Sequence, residues 1–598
     1  MGFSIGCFKA YATVQNPDGS IHYLTYSGTT TPWATSAWQG SDNNTVYNGV
    51  DFGLVAPGGG TALANTTALS SLFAAMVAPA GLPGGTAWIP QYNYPVNASL
   101  VGLTVPIQSI FQGLGTGGHG RAGTNVHFLI NDTTSAGTFL SCSGVHTSGG
   151  TFFKNLAFQW SDPEFAGDTV LFLQYQGNAV EDCTFLDCPT ALYIRGLTTL
   201  VKHCEIYYNV LASDPPTNVT AILLHAVNCE ISGPSEFNGG PVVTASPGTS
   251  TCISIGGGAT GCNLNTLRNL HMYYWNYGID YSDINDTGVG SGTADNIIDR
   301  CYINIIRTAI YLTPSDSVGK IFNQTFTNNV LTKDHDSNEG GPIVFIDSNG
   351  GPAENIGPIS FVNNVIYSNV SNEHGHQHGE AQHDQYGVKI GTCSEVSIIG
   401  GQISQCGTLT ATGADGTANV CISGNPSLVI LDSVNLNSTY PGVNSGKGTG
   451  TTGSGPSQYA LLITGDPSYV QVNNCNMSGF SGAGQAPVSV TGSPTTLIIT
   501  NSPGYNDQNT PINTLAHILP GTAYSAATQG AHGGTSYYGP SFIMFTSSPS
   551  SGGTVAINGG TPQMLLPSQV VCLTLASPYD TIEFNLGHGP TAFTWIGK

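Results

Sequence analysis

A mostly β solenoid, one long domain with small ends, is the fold this chain predicts, and three observations predict it. A short phrase returns in variant form at Val180-Glu-Asp-Cys-Thr-Phe185, Val201-Lys-His-Cys-Glu-Ile206, Val227-Asn-Cys-Glu-Ile231, Ile298-Asp-Arg-Cys-Tyr-Ile303 and Val472-Asn-Asn-Cys-Asn-Met477. Many copies are followed by a second strand-like run, such as Ala191-Leu-Tyr-Ile194 or Ala309-Ile-Tyr-Leu312. Self-similarity at roughly 20 to 30 residues marks units that bury their apolar faces only by stacking on one another. The composition agrees: 79 Gly and 34 Pro, with much Asn, Ser and Thr, separate short runs of Val, Ile, Thr, Tyr and Phe. That is strand-and-turn chemistry. Because a solenoid grows along one axis without enlarging a single core, 598 residues do not demand several domains.

Residues 1–55 do not share the repeat and are expected to form a separate attachment or cap element. In Asn65-Thr-Thr-Ala-Leu-Ser-Ser-Leu-Phe-Ala-Ala-Met76, Leu69, Leu72, Phe73 and Met76 fall at helical spacing behind Asn65, an N-cap candidate. Gly84-Gly-Thr-Ala-Trp-Ile-Pro90, Tyr94-Pro-Val-Asn97 and Ile107-Gln-Ser-Ile-Phe-Gln-Gly-Leu-Gly115 then read as strands broken by turns. This succession resembles the opening of pectate-lyase-like right-handed parallel β-helices, the architecture of bacteriophage tailspikes and related surface depolymerases. The resemblance spans 56–506 and implies a single-stranded right-handed parallel β-helix whose open end is covered by the helix. An uncapped end would expose apolar side chains and unpaired strand edges.

Asn501-Ser-Pro-Gly-Tyr-Asn506 looks like the segment that closes β-helices in phage and phage-derived proteins. Residues 507–598 look like a linker and the small C-terminal β domain that often follows, with Gly552-Gly-Thr-Val-Ala-Ile-Asn-Gly559, Leu566-Pro-Ser568, Tyr579-Asp-Thr-Ile-Glu-Phe584 and Pro590-Thr-Ala-Phe-Thr-Trp-Ile-Gly597 as its pieces. These likenesses imply a virion or phage-derived context, a homotrimer, and docking to other virion proteins through the N-terminal region.

Only 8% of residues are charged, and 13 Lys plus Arg face 35 Asp plus Glu, for a net charge of −22. Such a balance repels phosphate backbones and anionic bilayers, which argues against nucleic acid and against lipid binding through a basic patch. A neutral polar partner fits better, and carbohydrate, read by hydrogen bonds and aromatic faces, is the natural candidate. No apolar stretch reaches the ~18 to 20 residues of a bilayer span, and the N-terminus lacks the basic-then-apolar order of a secretion signal. The expectation is a chain without membrane insertion that is not exported by the usual route, carried on the virion tail or particle surface and extracellular after release. Many of the 14 cysteines sit at one point of the repeated phrase, as a column of compact buried thiols would, and no Cys-x-x-Cys pair argues for zinc.

Where charges are this scarce, clusters stand out. Residues 334–384 hold five of the 15 histidines and eight of the 35 acids, in two runs that follow strand-like Asn329-Val-Leu331 and Val365-Ile-Tyr367. Both runs are therefore expected in loops at similar places on adjacent rungs, where solenoids display function. Three readings stay open. A pair drawn from Asp334, Asp336, Glu339, Asp347 and Glu380 cleaves a glycosidic bond as acid and base or nucleophile. Alternatively His374, His376, His378 and His383 with Asp384 hold a divalent transition metal, the one cofactor considered. In the third reading the region is a solvated loop without chemistry. Elsewhere, Gly118-His-Gly120 copies a short polygalacturonase signature without its companion motifs. Arg195 with Asp182, Asp187 and Glu205 lines a groove suited to uronates or makes a structural ion pair. Tyr273, Tyr274, Trp275 and Tyr277 form the densest aromatic run, for sugar stacking or for packing at a subunit interface.

The function these features point to is a virion spike or fibre that binds host surface polysaccharide for adsorption and, as a candidate activity, depolymerises it. Two alternatives stand beside it: a purely structural virion component, and a free extracellular polysaccharide lyase or hydrolase.

Overall fold

The computed structural model describes residues 46–55, 60–77, 84–113, 126–131, 137–143, 149–161, 168–208, 219–239, 250–256, 261–284, 292–333, 341–368, 386–404, 406, 417–437, 457–480 and 485–505. It also describes the backbone of strands at 5–6, 9–15, 21–25, 407–408, 454–455, 517–520, 541–546, 553–557, 563–565, 570–575, 582–585 and 592–597.

Three parallel ladders run along the chain. The first sheet starts at Val46–Asn48 and Thr86–Ile89, passes through Ala179–Glu181 and Leu200–Lys202, and ends at Tyr469–Asn473 and Thr496–Thr500. The second runs from Asn93–Asn97 and Val126–Asn131 through Thr184–Leu186 and Glu205–Tyr207 to Gln402–Ser404. The third has 13 strands, from Leu103–Thr104 to Ala486–Val490. The step to the next rung varies from 21 residues (Ala179 to Leu200) to 44 (Val344 to Val388). Each rung is a set of parallel strands joined by crossovers, which strand twist winds right-handed. The chain is a single-stranded right-handed parallel β-helix. It begins at Val46, inside the stretch expected to be a separate N-terminal element, because Val46–Asn48 pairs in parallel with Thr86–Ile89.

The repeated phrase has a local physical cause. Asp182, His203, Arg300 and Asn474 all have φ between 52° and 54°, and this left-handed residue bends the strand from the first sheet into the second. The cysteine that follows each one is buried and points its thiol to the carbonyl two residues back: Cys183 to Glu181 (3.4 Å), Cys204 to Lys202 (3.4 Å), Cys301 to Asp299 (3.5 Å) and Cys475 to Asn473 (3.3 Å). A small apolar side chain with a weak donor suits a corner that turns a carbonyl inward. The copy at Val227-Asn-Cys-Glu-Ile231 sits instead at the corner leading from the third sheet to the first, with Asn228 at φ 58° and Cys229 donating to the Val227 carbonyl. The phrase therefore encodes a bend, not one rung position. All twelve described cysteines are free and buried.

Inside, like side chains stack on like. Tyr94, Phe128, Phe158 and Phe185 are in register on the second sheet, with consecutive ring centroids 5.8, 5.7 and 5.3 Å apart. Each fully buried ring contributes about 1.5–3 kcal/mol. At the third-to-first corner the column is polar: Cys229 N donates to Asn265 Oδ1 (2.9 Å), Asn265 N to Asn296 Oδ1 (2.9 Å), and Asn296 Nδ2 to Gln324 Oε1 (3.1 Å).

The ends are closed as expected. The one α-helix among the described residues, α1 (Ala62–Met76), buries Leu69, Leu72, Phe73 and Met76, and Phe73 meets Phe111 edge-on at 5.5 Å. Its N-cap is Thr61, whose hydroxyl accepts from Ala64 N; Asn65 lies a turn further in, fully buried, and ties the helix to Val55 and Pro95. At the other end Ser502 Oγ accepts from Cys475 N and the Pro503 carbonyl from Met477 N, which satisfies the last rung. The strands of 541–597 form two three-stranded antiparallel sheets, and Lys9–Gln15 pairs antiparallel with Ile21–Thr25.

Candidate functional site

The third sheet carries an outward column that changes character along the axis. Parallel register aligns Phe172, Tyr193, Leu223, Ser254, Asp280, Tyr311, Phe345 and Lys389, one per rung. Rings pack along it: Phe172 to Tyr193 at 5.1 Å, Tyr193 to His225 at 5.3 Å, Tyr277 to Tyr311 at 5.3 Å and Tyr311 to Phe345 at 5.6 Å. Between the two aromatic groups stand Asp280 and Asp283.

These two carboxylates occupy opposite environments. Asp280 ends the strand Tyr277–Asp280 and is 8% exposed; Ser282 donates to it through N (2.8 Å) and Oγ (2.9 Å). Burial outweighs those bonds and pushes its pKa up to about 6. Asp283 is about half exposed, lies 3.8 Å from His225 Nε2 and accepts from Ser254 Oγ at 2.7 Å. The adjacent imidazole, above all, holds its carboxyl below the usual range. The His225 ring is seated against Gly256 of the next rung, where any side chain would collide with it. One acid that keeps its proton up to about pH 6 beside one that stays ionised is the division of roles that glycosidic cleavage uses.

Several residues singled out by sequence meet on this face. Asp347 follows the strand Val344–Ile346, and its two oxygens accept from Asn349 N (3.2 Å) and Thr392 N (2.8 Å). It fastens one rung's turn to the next. Arg195 follows Thr190–Ile194, and Tyr277 opens the strand that Asp280 ends. Tyr273 and Tyr274 lie on the second sheet, half-buried, beside His271 and Tyr302, with Tyr273 and Tyr302 rings 5.7 Å apart. Trp275 offers no face for stacking: it is fully buried, donates from Nε1 to the Phe237 carbonyl at 3.0 Å and packs edge-on against Tyr208. The bend that separates Tyr274 from Tyr277 splits the aromatic run between two sheets. The expected groove is also divided. Asp182 sits at a corner near Lys154 (3.9 Å) and His203 (3.6 Å), Asp187 and Glu205 are buried on the second sheet, and Arg195 is on the third.

Asp334, Asp336, Glu339 and Glu380, together with His374, His376, His378, His383 and Asp384, lie outside the described residues, as does Gly118-His-Gly120. The strands leading into the two charged runs, Val330–Lys333 and Val365–Ser368, are paired neighbours. Among the described residues no group of three or more His, Cys, Asp or Glu is arranged to hold a metal ion, and no helix is long and apolar enough to cross a membrane. Asp280, Asp283 and His225 escaped sequence reasoning. Their signal was two acids three residues apart, in Ile279-Asp-Tyr-Ser-Asp283, at the end of a rung strand where no other aligned residue of the column is an acid.

Among solved structures, the chain resembles the tailspike protein of E. coli bacteriophage HK620 in complex with a pentasaccharide, at 10% identity over 92% of both chains with a TM-score of 0.51. It also resembles tailspike protein 3 of bacteriophage CBA120 (11% identity, 78% of this chain and 64% of that one, TM-score 0.44). A third likeness is to the catalytic unit of a GH87 α-1,3-glucanase from Streptomyces thermodiastaticus (14% identity, 77% and 70%, TM-score 0.41). No protein-family model and no curated protein matches the chain. At such identity the likeness establishes the fold, a parallel β-helix like that of the HK620 tailspike.

Proposed function

We propose that this protein is a virion tailspike that binds host surface polysaccharide along the outward face of the third sheet and cleaves it hydrolytically. The observation that carries this reading is the Asp280–Asp283 pair, set between aromatic groups on one continuous outward ladder. Sugar rings stack on Phe172 and Tyr193 on one side and on Tyr277, Tyr311 and Phe345 on the other. Asp280, protonated, gives its proton to the glycosidic oxygen as the bond to the anomeric carbon breaks. Asp283, ionised, attacks that carbon or takes a proton from the attacking water, according to the separation of the two carboxyls over the substrate. The pentasaccharide-bound HK620 tailspike supports a glycan as ligand for this fold. Assembly as a homotrimer, attachment to the particle through the N-terminal region and adsorption to the host complete the reading.

The test is to incubate the protein with polysaccharide from the surface of cells to which it adheres, following polymer size, reducing ends and absorbance near ~235 nm, where the unsaturated uronates of a lyase absorb. Shortening with new reducing ends and no absorbance is expected. Asp280→Asn should lower the rate about 10²–10⁴-fold while leaving binding intact. Unchanged polymer that is nevertheless bound would reduce the site to a binding face.

A further inference from the structure

The outward face of the third sheet carries a charge pattern that an acidic composition does not foreshadow. Against 35 Asp and Glu the chain has 13 Lys and Arg, yet three of these cations stand over aromatic rings of this one sheet. The Arg195 guanidinium lies over Tyr193 (6.0 Å) and that of Arg307 over Tyr277 (5.5 Å). Lys389 Nζ lies over both Tyr386 (5.3 Å) and Phe345 (5.9 Å). Cations of the first sheet are neutralised by neighbours: Lys154, Arg268 and Arg300 each contact a carboxylate, at 3.1, 2.5 and 2.8 Å, although Lys154 also lies over the Phe152 ring at 5.6 Å. Among the described residues neither Arg195 nor Lys389 forms an ion pair.

The ladder fixes where these cations fall. The strand ending in Asp280 lies three rungs beyond the strand that Arg195 follows, and three rungs before the strand that holds Lys389. Arg307 immediately precedes the strand next to that of Asp280. At about 4.8 Å per strand the two outer cations bracket Asp280 at about 14 Å on either side. A pyranose in an extended polymer advances by about one rung, so the interval matches a few sugar residues in each direction.

A ring beneath a guanidinium or ammonium holds the charged head in place while leaving its N–H donors free for an anion. A neutral glycan needs rings and hydroxyls but no such cations. A polyanion approaching a chain of net charge −22 is repelled unless cations meet it within the ~8 Å over which charge acts at physiological ionic strength. We propose that the substrate is an acidic polysaccharide bearing carboxylates, gripped by Arg195 and Lys389 on either side of Asp280. This rests on the third sheet being the glycan-binding face, and it replaces the neutral partner that composition favoured.

The probe is the purified surface polysaccharide of bacteria to which fluorescently labelled protein adheres, compared with the same polymer after its carboxyls are reduced to alcohols. Dextran is the neutral control. Carboxyl reduction is expected to weaken binding at least about tenfold, and Arg195→Gln and Lys389→Gln each about tenfold, close to 1.4 kcal/mol. Lys389→Arg should retain affinity, and thermal melting should be unchanged in all three variants. Equal binding of native and reduced polymer, with both Gln variants at wild-type affinity, overturns the acidic substrate and leaves glycan binding standing. Adherence to no strain, or adherence that survives removal of the surface polysaccharide, overturns glycan binding itself.

Discussion

At the scale of single residues, Asp280 shows burial defeating hydrogen bonding. Two bonds from Ser282 and a long one from Thr251 (3.5 Å) favour its charged form, and desolvation still raises its pKa from 3.8 to about 6. The sign follows from linkage. The folded protein holds this proton more tightly than the unfolded chain, so Asp280 costs nothing below pH ~4 and destabilises the fold by about 3 kcal/mol above pH ~6. Two outcomes are expected. Cleavage should decline as pH rises through about 6, when the acid is lost, and should persist on the acid side until Asp283, with its lowered pKa, is protonated. Asp280→Asn, inactive, should unfold at higher denaturant concentration than wild type at pH ~8. Rates that stay flat to pH ~8, with Asp280→Asn no more stable there, would remove Asp280 from the role of acid.

At the scale of elements, the corners hold the rungs in register. In the amide column Asn265 and Asn296 accept from the backbone donors Cys229 N and Asn265 N, and Gln324 closes it by accepting from Asn296 Nδ2 and from the Tyr281 hydroxyl at 2.8 Å. Asn296 is fully buried, so Asn296→Leu increases apolarity where an apolar side chain leaves Asn265 N without its acceptor. A destabilisation of about 1–3 kcal/mol is expected in urea unfolding. A neutral or stabilising result would show that column to be dispensable. The sequence signalled these corners through Asn, Asp and Cys, but the phrase at Val227 to Ile231 shows its limit. A left-handed residue followed by a small inward one describes a bend wherever it occurs, and only strand pairing tells one corner of the solenoid from another.

At the scale of the whole molecule, the solenoid keeps its cysteines as packing. Burial raises the thiols of Cys142, Cys204, Cys262, Cys301 and Cys393 to about 12, so thiolate, the reactive form, is scarce at pH ~8. The twelve buried thiols are expected to resist an alkylating reagent in the native protein and to react on unfolding, as peptide mass spectrometry would map. Labelling of Cys183 or Cys301 without unfolding would contradict the stacked interior.

The sequence by itself determined the architecture, because each rung repeats the same local demands: alternating apolar residues, a bend that tolerates left-handed backbone, and caps such as α1 at the solenoid's end. It also marked Arg195, Tyr277 and Asp347 as unusual in a chain so poor in charge. Only the tertiary structure decided which residues share a face. Residues one rung apart are 21 to 44 positions apart in sequence, and a single bend sends Tyr274 to one sheet and Tyr277 to another. Tyr193, His225, Asp280, Asp283 and Tyr311 come to share one face through parallel register alone, and register is set by the packing of the whole stack.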